Sequence, residues 1–372
     1  MKNKVLLHTT EGVRDYYGTE YSDRETVSRR LFQTMELFGF SGIDTPSFEY
    51  FDLFAGELSQ ASARDLYKFF DKEGETLVLR PDLTPSIARS ACRYFLDQAQ
   101  GALRLCYRGQ TFMNTSSLQG KLNEYTQTGA ELMNDGSVYA DAEMIALLAE
   151  CLLAAGLTEF QISVGNASYF KAICSEAGID GTLEEELREQ IAVKNYFAAE
   201  KLLTDAGVSD RMRDLLLKVS SFMKTEEEIA KALSEAPNAQ AKDALLRLKE
   251  LDHVLSLYGV DKYVSYDLSM LNRYQYYTGV IFRAYTYGVG DAIASGGRYD
   301  ELLDKFGHDA PAIGFAIVLE DLMNALYRQK IEVPKRNKPE TVIATKDSVE
   351  ESLQRVLQLR KEGQATVFDV RS

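Results

Sequence analysis

The sequence predicts an α+β fold, in which an antiparallel β-sheet is flanked by helices. Three observations predict it. Apolar strand patterns follow each other in hairpin order through the first half of the chain and return near residue 262. Apolar residues at helical spacing frame these strands. A segment rich in Glu, Lys, Leu and Ala, at about residues 175–258, interrupts them as a helical insertion. Strands that form hairpins beside separate helices are typical of α+β architecture.

The first helix is predicted from a cap and an apolar repeat. Ser22 and Glu25 have the spacing of a capping box. Apolar residues then recur at helical spacing up to Gly39, namely Val27, Leu31, Met35 and Phe38. The segment that follows is expected to be extended and stiffened by Pro46.

The next elements are hairpins and helices. Residues 65–85 are predicted to form a hairpin, because two apolar runs flank the turn at residues 71–74. The stretch "SIARSACRYFLDQ" is predicted to be helical. The stretches "RLCYRGQTFMN" and "NEYTQTGAELMN" are predicted to be strands joined by a polar loop. An apolar helix closed by Gly156 and the strand "EFQISVGN" follow.

Strands resume after the insertion at "KYVSYDLSM" and "YQYYTGVIFRAYTYG". "SGGRYDELLDKFG" is interpreted as a glycine turn that enters a helix, and "AIGFAIVLEDLMNALYRQK" as a strand that runs into a helix. We expect three regions: a core at 1–328, a linker at 329–338, and a short α/β segment of the βαβ type at 339–372.

Composition bounds the functions that the chain can have. Of its 372 residues, 45% are apolar, and its formal net charge is −14. No run of Lys and Arg offers a grip on a phosphate backbone, which disfavours a nucleic-acid partner. No apolar run is long enough for a membrane span, and no secretory signal is present. The cysteines lack CxxC spacing and the histidines lack zinc-site spacing. We expect a cytoplasmic protein with buried thiols, no metal and no cofactor.

Gln127 and Glu131 are the first candidate binding residues. They lie four apart in a predicted strand, so both side chains point to one face, with Gly129 between them. The glycine is expected to leave open space between an amide and a carboxylate. That space suits a small ligand that carries an ammonium or an imidazole. The alternative is an ordinary solvated strand face.

Tyrosines form the second candidate group. Tyr274, Tyr276, Tyr277 and Tyr299 could wall a pocket and offer their hydroxyls as hydrogen-bonding ends. Ordinary aromatic packing is the alternative. Arg298 is expected to pair with a carboxylate for structural reasons. Asp82, which follows "LRP", is either a turn residue, a helix N-cap or an anchor for an ammonium group.

The order of these segments resembles the core of class II histidyl-tRNA synthetases over roughly residues 5–328. The last of them, "AIGFAIVLEDL", resembles the third motif of that class. The resemblance implies that the segment around Pro46 forms a dimer interface. The other segments that carry the resemblance are "GFSGIDTPSFE", "LRPDLTPSIAR", "YRGQTFM", "NEYTQTGAEL", "MLNRYQYYTGVIF" and "SGGRYDELL".

The departures from that family concern charge. Amino-acid activation by ATP needs fixed cations against the triphosphate. The resemblance places three synthetase arginines on Met113, Asn272 and Asp321, and the adenine-reading acidic residue on Thr115. Removing one positioned donor costs roughly 3 kcal/mol of transition-state stabilisation, so the loss of three is expected to abolish activation. Arg108 is not expected to compensate, since strand alternation points it to the other face unless Gly109 forms a bulge.

The amino-acid side of the site is kept, and this combination resembles the regulatory subunits of ATP phosphoribosyltransferase. The resemblance implies a non-catalytic subunit that activates short-form catalytic chains in the first step of histidine biosynthesis. It also implies a part in feedback inhibition by L-histidine, as a homodimer within a hetero-octamer. The truncated C-terminal segment agrees with this family. The residues implied to bind histidine are Asp82, Thr84, Gln127, Glu131, Tyr276, Tyr277 and Tyr299.

Two alternatives stay open at this point. One is a degenerate histidyl-tRNA synthetase paralogue that senses histidine for another partner. The other is an active histidyl-tRNA synthetase, which the missing cations disfavour.

Overall fold

The computed structural model describes residues 7–55, 63–115, 121–218, 222–223, 226–270, 277–335 and 339–371. The chain divides into two compact units. The first comprises Met1–Asp15 and Val27–Glu332, and the second comprises Tyr16–Thr26 and Val333–Ser372. In the part of the chain that is described, none of the helices combines the length and the apolar character that crossing a membrane requires.

Three sheets contain the described strands. The strands are β1 (Ser41–Gly42), β2 (Phe48–Tyr50), β3 (Lys68–Phe70), β4 (Thr76–Leu79), β5 (Leu103–Phe112), β6 (Glu124–Met133), β7 (Gln161–Asn166), β8 (Phe222–Met223), β9 (Val264–Asp267), β10 (Val280–Tyr285), β11 (Ala294–Arg298), β12 (Ala312–Val318), β13 (Glu340–Ala344) and β14 (Thr366–Val370). The large sheet has nine strands in the order β1-β5-β6-β12-β11-β10-β7-β9-β8. It is antiparallel except at two pairs, β1 with β5 and β7 with β9. The predicted α+β fold is confirmed, with these two parallel pairs added.

The described residues contain eleven α-helices. They are α1 (Gly18–Leu37), α2 (Thr84–Tyr94), α3 (Val138–Ala154), α4 (Ala167–Glu176), α5 (Gly181–Ala192), α6 (Tyr196–Asp205), α7 (Asp210–Lys218), α8 (Glu226–Glu235), α9 (Ala239–Tyr258), α10 (Leu319–Arg328) and α11 (Val349–Lys361). Most of α3 is buried, and its first turn is capped by Ser137, whose hydroxyl accepts from the Ala140 amide at 3.3 Å. Gly259, at φ 73°, ends α9 in the left-handed conformation that glycine adopts readily.

The predicted start of α1 is wrong. The helix begins at Gly18, four residues before the expected N-cap Ser22. Ser22 is therefore inside the helix, where its carbonyl accepts from the Thr26 hydroxyl at 2.9 Å. The residues after Ser22 continue the helix already formed, so the capping-box spacing has no terminus to cap.

The interpretation of "SGGRYDELLDKFG" as a glycine turn before a helix is also wrong. Gly296 and Gly297 lie within β11, paired with β10 and β12. A Cβ at Gly296 would overlap the carbonyl of Gly314, and one at Gly297 would contact the ring of Tyr277 at 2.7 Å. The glycines therefore serve close packing across a strand. A turn and a short 3-10 helix, at residues 304–306, follow instead of an α-helix.

The predicted hairpins are confirmed. β3 pairs antiparallel with β4, and β5 pairs antiparallel with β6 along its full length. Gly109 stands opposite Gln127 in an unbroken register, so β5 has no bulge. Arg108 consequently points away from the face that carries Gln127. It donates from Nη1 to the Ser28 hydroxyl at 3.1 Å.

The second unit contains the βαβ segment. β13 and β14 are parallel, as a βαβ crossover requires, and α11 connects them. Val356 and Leu359 of α11 are buried together with Ala344 of β13. The predicted strand, helix and strand are thus all present.

Candidate functional site

The carboxyl group of Glu131 is the centre of a buried polar cluster on β6. Only 1% of Glu131 is exposed. Thr84, at the start of α2, donates from its hydroxyl to Oε1 at 2.7 Å. Tyr299 donates from its hydroxyl to Oε2. A third hydroxyl, from Tyr107 on β5, lies beside this carboxyl group and helps to stabilise its ionised form.

Burial dominates the ionisation of Glu131. It raises the pKa of the Glu131 carboxyl to about 8, because a buried carboxylate loses its hydration. The hydroxyls of Tyr299, Thr84 and Tyr107 oppose this rise by bonding to the ionised form, and the nearby Asp82 adds to it. The carboxyl group therefore gains most from a ligand that brings a further donor or a positive charge.

Asp82 presents a second buried carboxyl group to the same cluster. Its Oδ1 accepts from the Leu83 amide at 2.7 Å and more weakly from the Thr84 amide at 3.4 Å. Its Oδ2 is buried without a hydrogen-bond partner among the described residues. Burial raises the pKa of Asp82, and the two amide bonds oppose that rise. Asp82 thus both binds the start of α2 and leaves one acceptor for a ligand.

The expected open space beside Gly129 is filled. The Tyr107 hydroxyl and the Phe315 carbonyl occupy the place where a Cβ of Gly129 would lie. The Tyr107 hydroxyl lies 3.4 Å from that carbonyl and can donate to it. A glycine here admits a neighbouring ring, so the space serves the protein's own side chain.

Gln127 and Tyr277 border the cluster. Gln127 is half-buried, and its Oε1 is enclosed without a partner among the described residues. Tyr277 is buried and packs against Gly297. The structure therefore brings together Asp82, Thr84, Glu131, Tyr277 and Tyr299, with Gln127 further along the same face of β6. Tyr274, Tyr276 and Asn272 lie outside the described residues.

Two residues of the cluster were not predicted from the sequence. Gly314 on β12 stands opposite Glu131, and a Cβ there would overlap Glu131 Oε2. Tyr107 supplies the third hydroxyl. Strand alternation could have placed Tyr107 beside Gly129, given the β5–β6 register. The contact of Gly314 depends on a pairing between distant segments, which no local pattern shows.

Arg298 has the structural role that was expected. Its Nε and Nη2 donate to Asp141 Oδ1 at 2.8 and 2.6 Å. Its Nη1 donates to Asp300 Oδ1 at 3.1 Å. Both Arg298 and Asp141 are buried, so each compensates the charge of the other.

The opposite end of the same strands has different chemistry. Met113, just after β5, packs against the apolar cluster that contains Phe54 and Val78. Asp321 opens α10 beside Glu320 and Asp291, and burial raises the pKa of Asp321 to about 6, with both carboxylates adding to the rise.

Lys121 and Thr115 border that end. Lys121 Nζ lies 3.7 Å from Asp291 Oδ2. Thr115 donates from its hydroxyl to Asn123 Oδ1 at 3.0 Å. This end therefore offers apolar and acidic groups. Within the described ranges, no three His, Cys, Asp or Glu side chains are grouped as metal ligands would be.

Comparison with known proteins identifies the family. The family model described as histidyl-tRNA synthetase matches residues 12–322. A relative from Acetivibrio thermocellus, named ATP phosphoribosyltransferase regulatory subunit, is 35% identical over 98% of this chain and 87% of its own length. One of the same name from Ruminiclostridium cellulolyticum is 34% identical over 86% of this chain and 76% of its own.

A solved structure agrees with these relatives. The crystal structure of an ATP phosphoribosyltransferase regulatory subunit/histidyl-tRNA synthetase from Bacillus halodurans is 30% identical, with a TM-score of 0.89, and the match covers 98% of this chain and 93% of that one. A histidyl-tRNA synthetase from Nostoc, at 19% identity and a TM-score of 0.82 over 98% of this chain and 86% of its own, shares the fold. The chain belongs to the family of histidyl-tRNA synthetase-like regulatory subunits of ATP phosphoribosyltransferase.

Proposed function

We propose that this chain activates a short-form catalytic chain of ATP phosphoribosyltransferase and takes part in its inhibition by histidine, without catalysing a reaction itself. The observation that carries the proposal is the contrast within one site. The Glu131 carboxyl group is held by the hydroxyls of Thr84 and Tyr299, while the end that a triphosphate would occupy carries Met113 and Asp321.

The acidic end supports the absence of adenylation. A triphosphate is stabilised by cations that are fixed before it arrives. Asp321, Glu320 and Asp291 would instead repel it, and Lys121 is already near Asp291. Arg108 points to the other face of β5 and bonds to Ser28, so it does not replace the missing cation.

The Glu131 cluster supports histidine as the ligand. Histidine carries an ammonium group and imidazole N–H groups, all of which donate hydrogen bonds. The enclosed acceptors Asp82 Oδ2 and Gln127 Oε1 have no partner among the described residues, and leaving such atoms unpaired costs about 1–3 kcal/mol each. A ligand with two separated donors would remove that cost. The Glu131 carboxyl group would exchange a hydroxyl for an imidazole donor.

An exposed apolar surface supports the homodimer. The outer face of the β2–β4–β3 sheet, next to Pro46, carries Phe48, Tyr50 and Phe69, and the first two are 52% and 60% exposed. Apolar faces of this kind mark interfaces. We expect light scattering to show a homodimer. The Tyr50→Glu variant should be monomeric, whereas the control Tyr327→Glu, which changes an exposed tyrosine of α10, should stay dimeric. Dimers in both variants would place the interface elsewhere.

Addition of the catalytic chain is expected to produce a larger complex, a hetero-octamer. We place this assembly in the cytoplasm, where the four buried free thiols would stay reduced.

Reconstitution tests the whole proposal. Phosphoribosyl transfer by the catalytic chain is measured with and without this protein, and then with histidine. We expect activation by this protein and inhibition by histidine. If this protein does not change the rate of phosphoribosyl transfer by the catalytic chain, the proposed partnership is wrong. Histidine-dependent exchange between pyrophosphate and ATP by this chain alone would show an active synthetase instead.

A further inference from the structure

Ion pairs on a buried carboxylate connect the helical insertion to the Glu131 cluster. Arg247 of α9 donates from Nε to Asp141 Oδ2 at 2.6 Å, and from Nη2 to the Gly136 carbonyl at 2.9 Å. Asp141, on α3, is fully buried. Its other oxygen accepts from both Nε and Nη2 of Arg298. One carboxylate is thus held between a guanidinium of the insertion and a guanidinium of β11.

Arg298 immediately precedes Tyr299, which donates to Glu131. The backbone at this junction is hydrogen-bonded on both sides. The Arg298 carbonyl accepts from the Thr278 amide at 2.8 Å, and the Tyr299 amide donates to the Ala312 carbonyl at 2.8 Å. Successive side chains in an extended segment point to opposite faces. Arg298 therefore points towards α3 while Tyr299 points into the cluster, and a shift of one displaces the other.

We infer that Arg247 is a positioning residue for the Glu131 cluster, acting through Asp141 and Arg298 on Tyr299. The inference rests on the ligand-binding role proposed above for that cluster. Through this relay, an event at the insertion changes the affinity of the cluster for its ligand. The helical insertion would then regulate ligand binding in addition to packing against the core.

The physical reason lies in the hydrogen bonds that the Asp141 carboxylate accepts. Each carboxylate oxygen has its own guanidinium, and both oxygens are inside the protein. Without Arg247, Oδ2 stays buried and unpaired, which is costly. Among the described residues, Arg298 is then the cation that still contacts Asp141, so it is expected to move towards the vacated oxygen. That movement pulls on the backbone of Tyr299 and weakens its alignment with Glu131.

Packing of α9 offers a simpler role for Arg247. Leu245 and Leu248, on either side of Arg247, are fully buried, so the helix is held by apolar contacts as well. If Arg247 only stabilised this packing, its loss would lower stability throughout the insertion. The dynamics of β11 would not change selectively.

Two measurements on three variants separate these roles. The variants are Arg247→Met, Arg247→Lys and, as a control, Lys242→Met, which removes an exposed cation from the same helix. Hydrogen exchange by mass spectrometry follows residues 294–300, and calorimetry follows histidine binding. We expect Arg247→Met to speed exchange in residues 294–300 and to weaken histidine binding by about 3- to 10-fold, as coupling energies of this size imply. The control should change neither.

The outcomes are distinguishable. Faster exchange in residues 294–300, with no histidine binding even by the wild type, would confirm the relay and refute the proposed ligand. Unchanged exchange and unchanged affinity in Arg247→Met would overturn the relay. Arg247→Lys keeps the charge but not the forked geometry, so an intermediate effect is expected. If Arg247→Met does not fold, Arg247→Lys is the test variant. Unchanged exchange in residues 294–300 and unchanged histidine affinity in Arg247→Lys would then refute the inference.

Discussion

The two ends of the β5–β6–β12 surface share one backbone frame and differ in almost every functional side chain. At one end, Glu131 and Asp82 are buried acidic groups surrounded by hydroxyls and amides. At the other, Met113 packs in an apolar cluster and Asp321 stands among acidic neighbours. The strand register between the two ends is unbroken.

The difference shows that the fold and the chemistry are separable. Strand pairing and glycines such as Gly314 maintain the frame at both ends, because their backbone contacts do not depend on the charges. Function follows from the charged and polar groups that the frame presents. A few substitutions at one end can therefore abolish a reaction while the other end keeps its geometry.

The largest expected effect is at the acidic end. ATP should show no saturable binding to the wild-type chain at millimolar concentration, because Met113 and Asp321 offer no cation to its phosphates. Equilibrium dialysis measures this directly, with histidine as the ligand of comparison. Micromolar affinity for ATP would mean that cations reach the phosphates from elsewhere, and the contrast between the two ends would disappear.

The next effect is at the polar end. A cationic group of histidine that bonds to Glu131 makes a charge-assisted hydrogen bond, which contributes roughly 1.5–3 kcal/mol, so Glu131→Ala should weaken histidine binding about tenfold or more. Glu124→Gln, on the same strand but outside the cluster, is the control. Calorimetry on the three proteins tests this. Equal affinities would show that the Glu131 cluster is only a feature of the fold and that the regulatory site lies elsewhere.

The sequence predicted the local parts of this architecture. The β5–β6 hairpin and helix α3 follow from short-range apolar periodicity and turn residues, so both were found. Arg298 was correctly expected to pair with a carboxylate. Gly296 and Gly297 were misassigned, because a glycine pair has the same appearance in a turn and in a strand that must pass close to its neighbours. Tyr107 was within reach of strand alternation in the β5–β6 hairpin but was overlooked. Gly314 contacts Glu131 across a pairing between distant segments, which only the three-dimensional structure shows.

The pH dependence of stability tests the ionisation of Glu131, at the polar end of the surface. The pKa of the Glu131 carboxyl is about 8 in the folded chain, against an ordinary value of 4.5 for the unfolded chain. Between these two pH values the folded chain therefore binds more protons than the unfolded chain. The free energy of unfolding should therefore fall as pH rises through this window, by at most about 1.4 kcal/mol per pH unit. Glu131→Gln should flatten the decline. Denaturant titrations at pH 5 to 8 that give parallel curves for both proteins would contradict the buried, protonated state.

The smallest expected effect concerns Asp321. Its pKa is raised to about 6 from 3.8, so the folded chain is disfavoured when this carboxyl group ionises, and stability should fall as pH rises from about 4 to 6. Solvent screens a half-exposed group, which limits the effect at pH 7 to below about 1 kcal/mol. Asp321→Asn should therefore stabilise the protein slightly at pH 7 and not at pH 4. Asp309→Asn, on an exposed surface, is the control. A destabilised Asp321→Asn at pH 7 would indicate that Asp321 is held by a cation, and the acidic end would then be a binding site for positive charge.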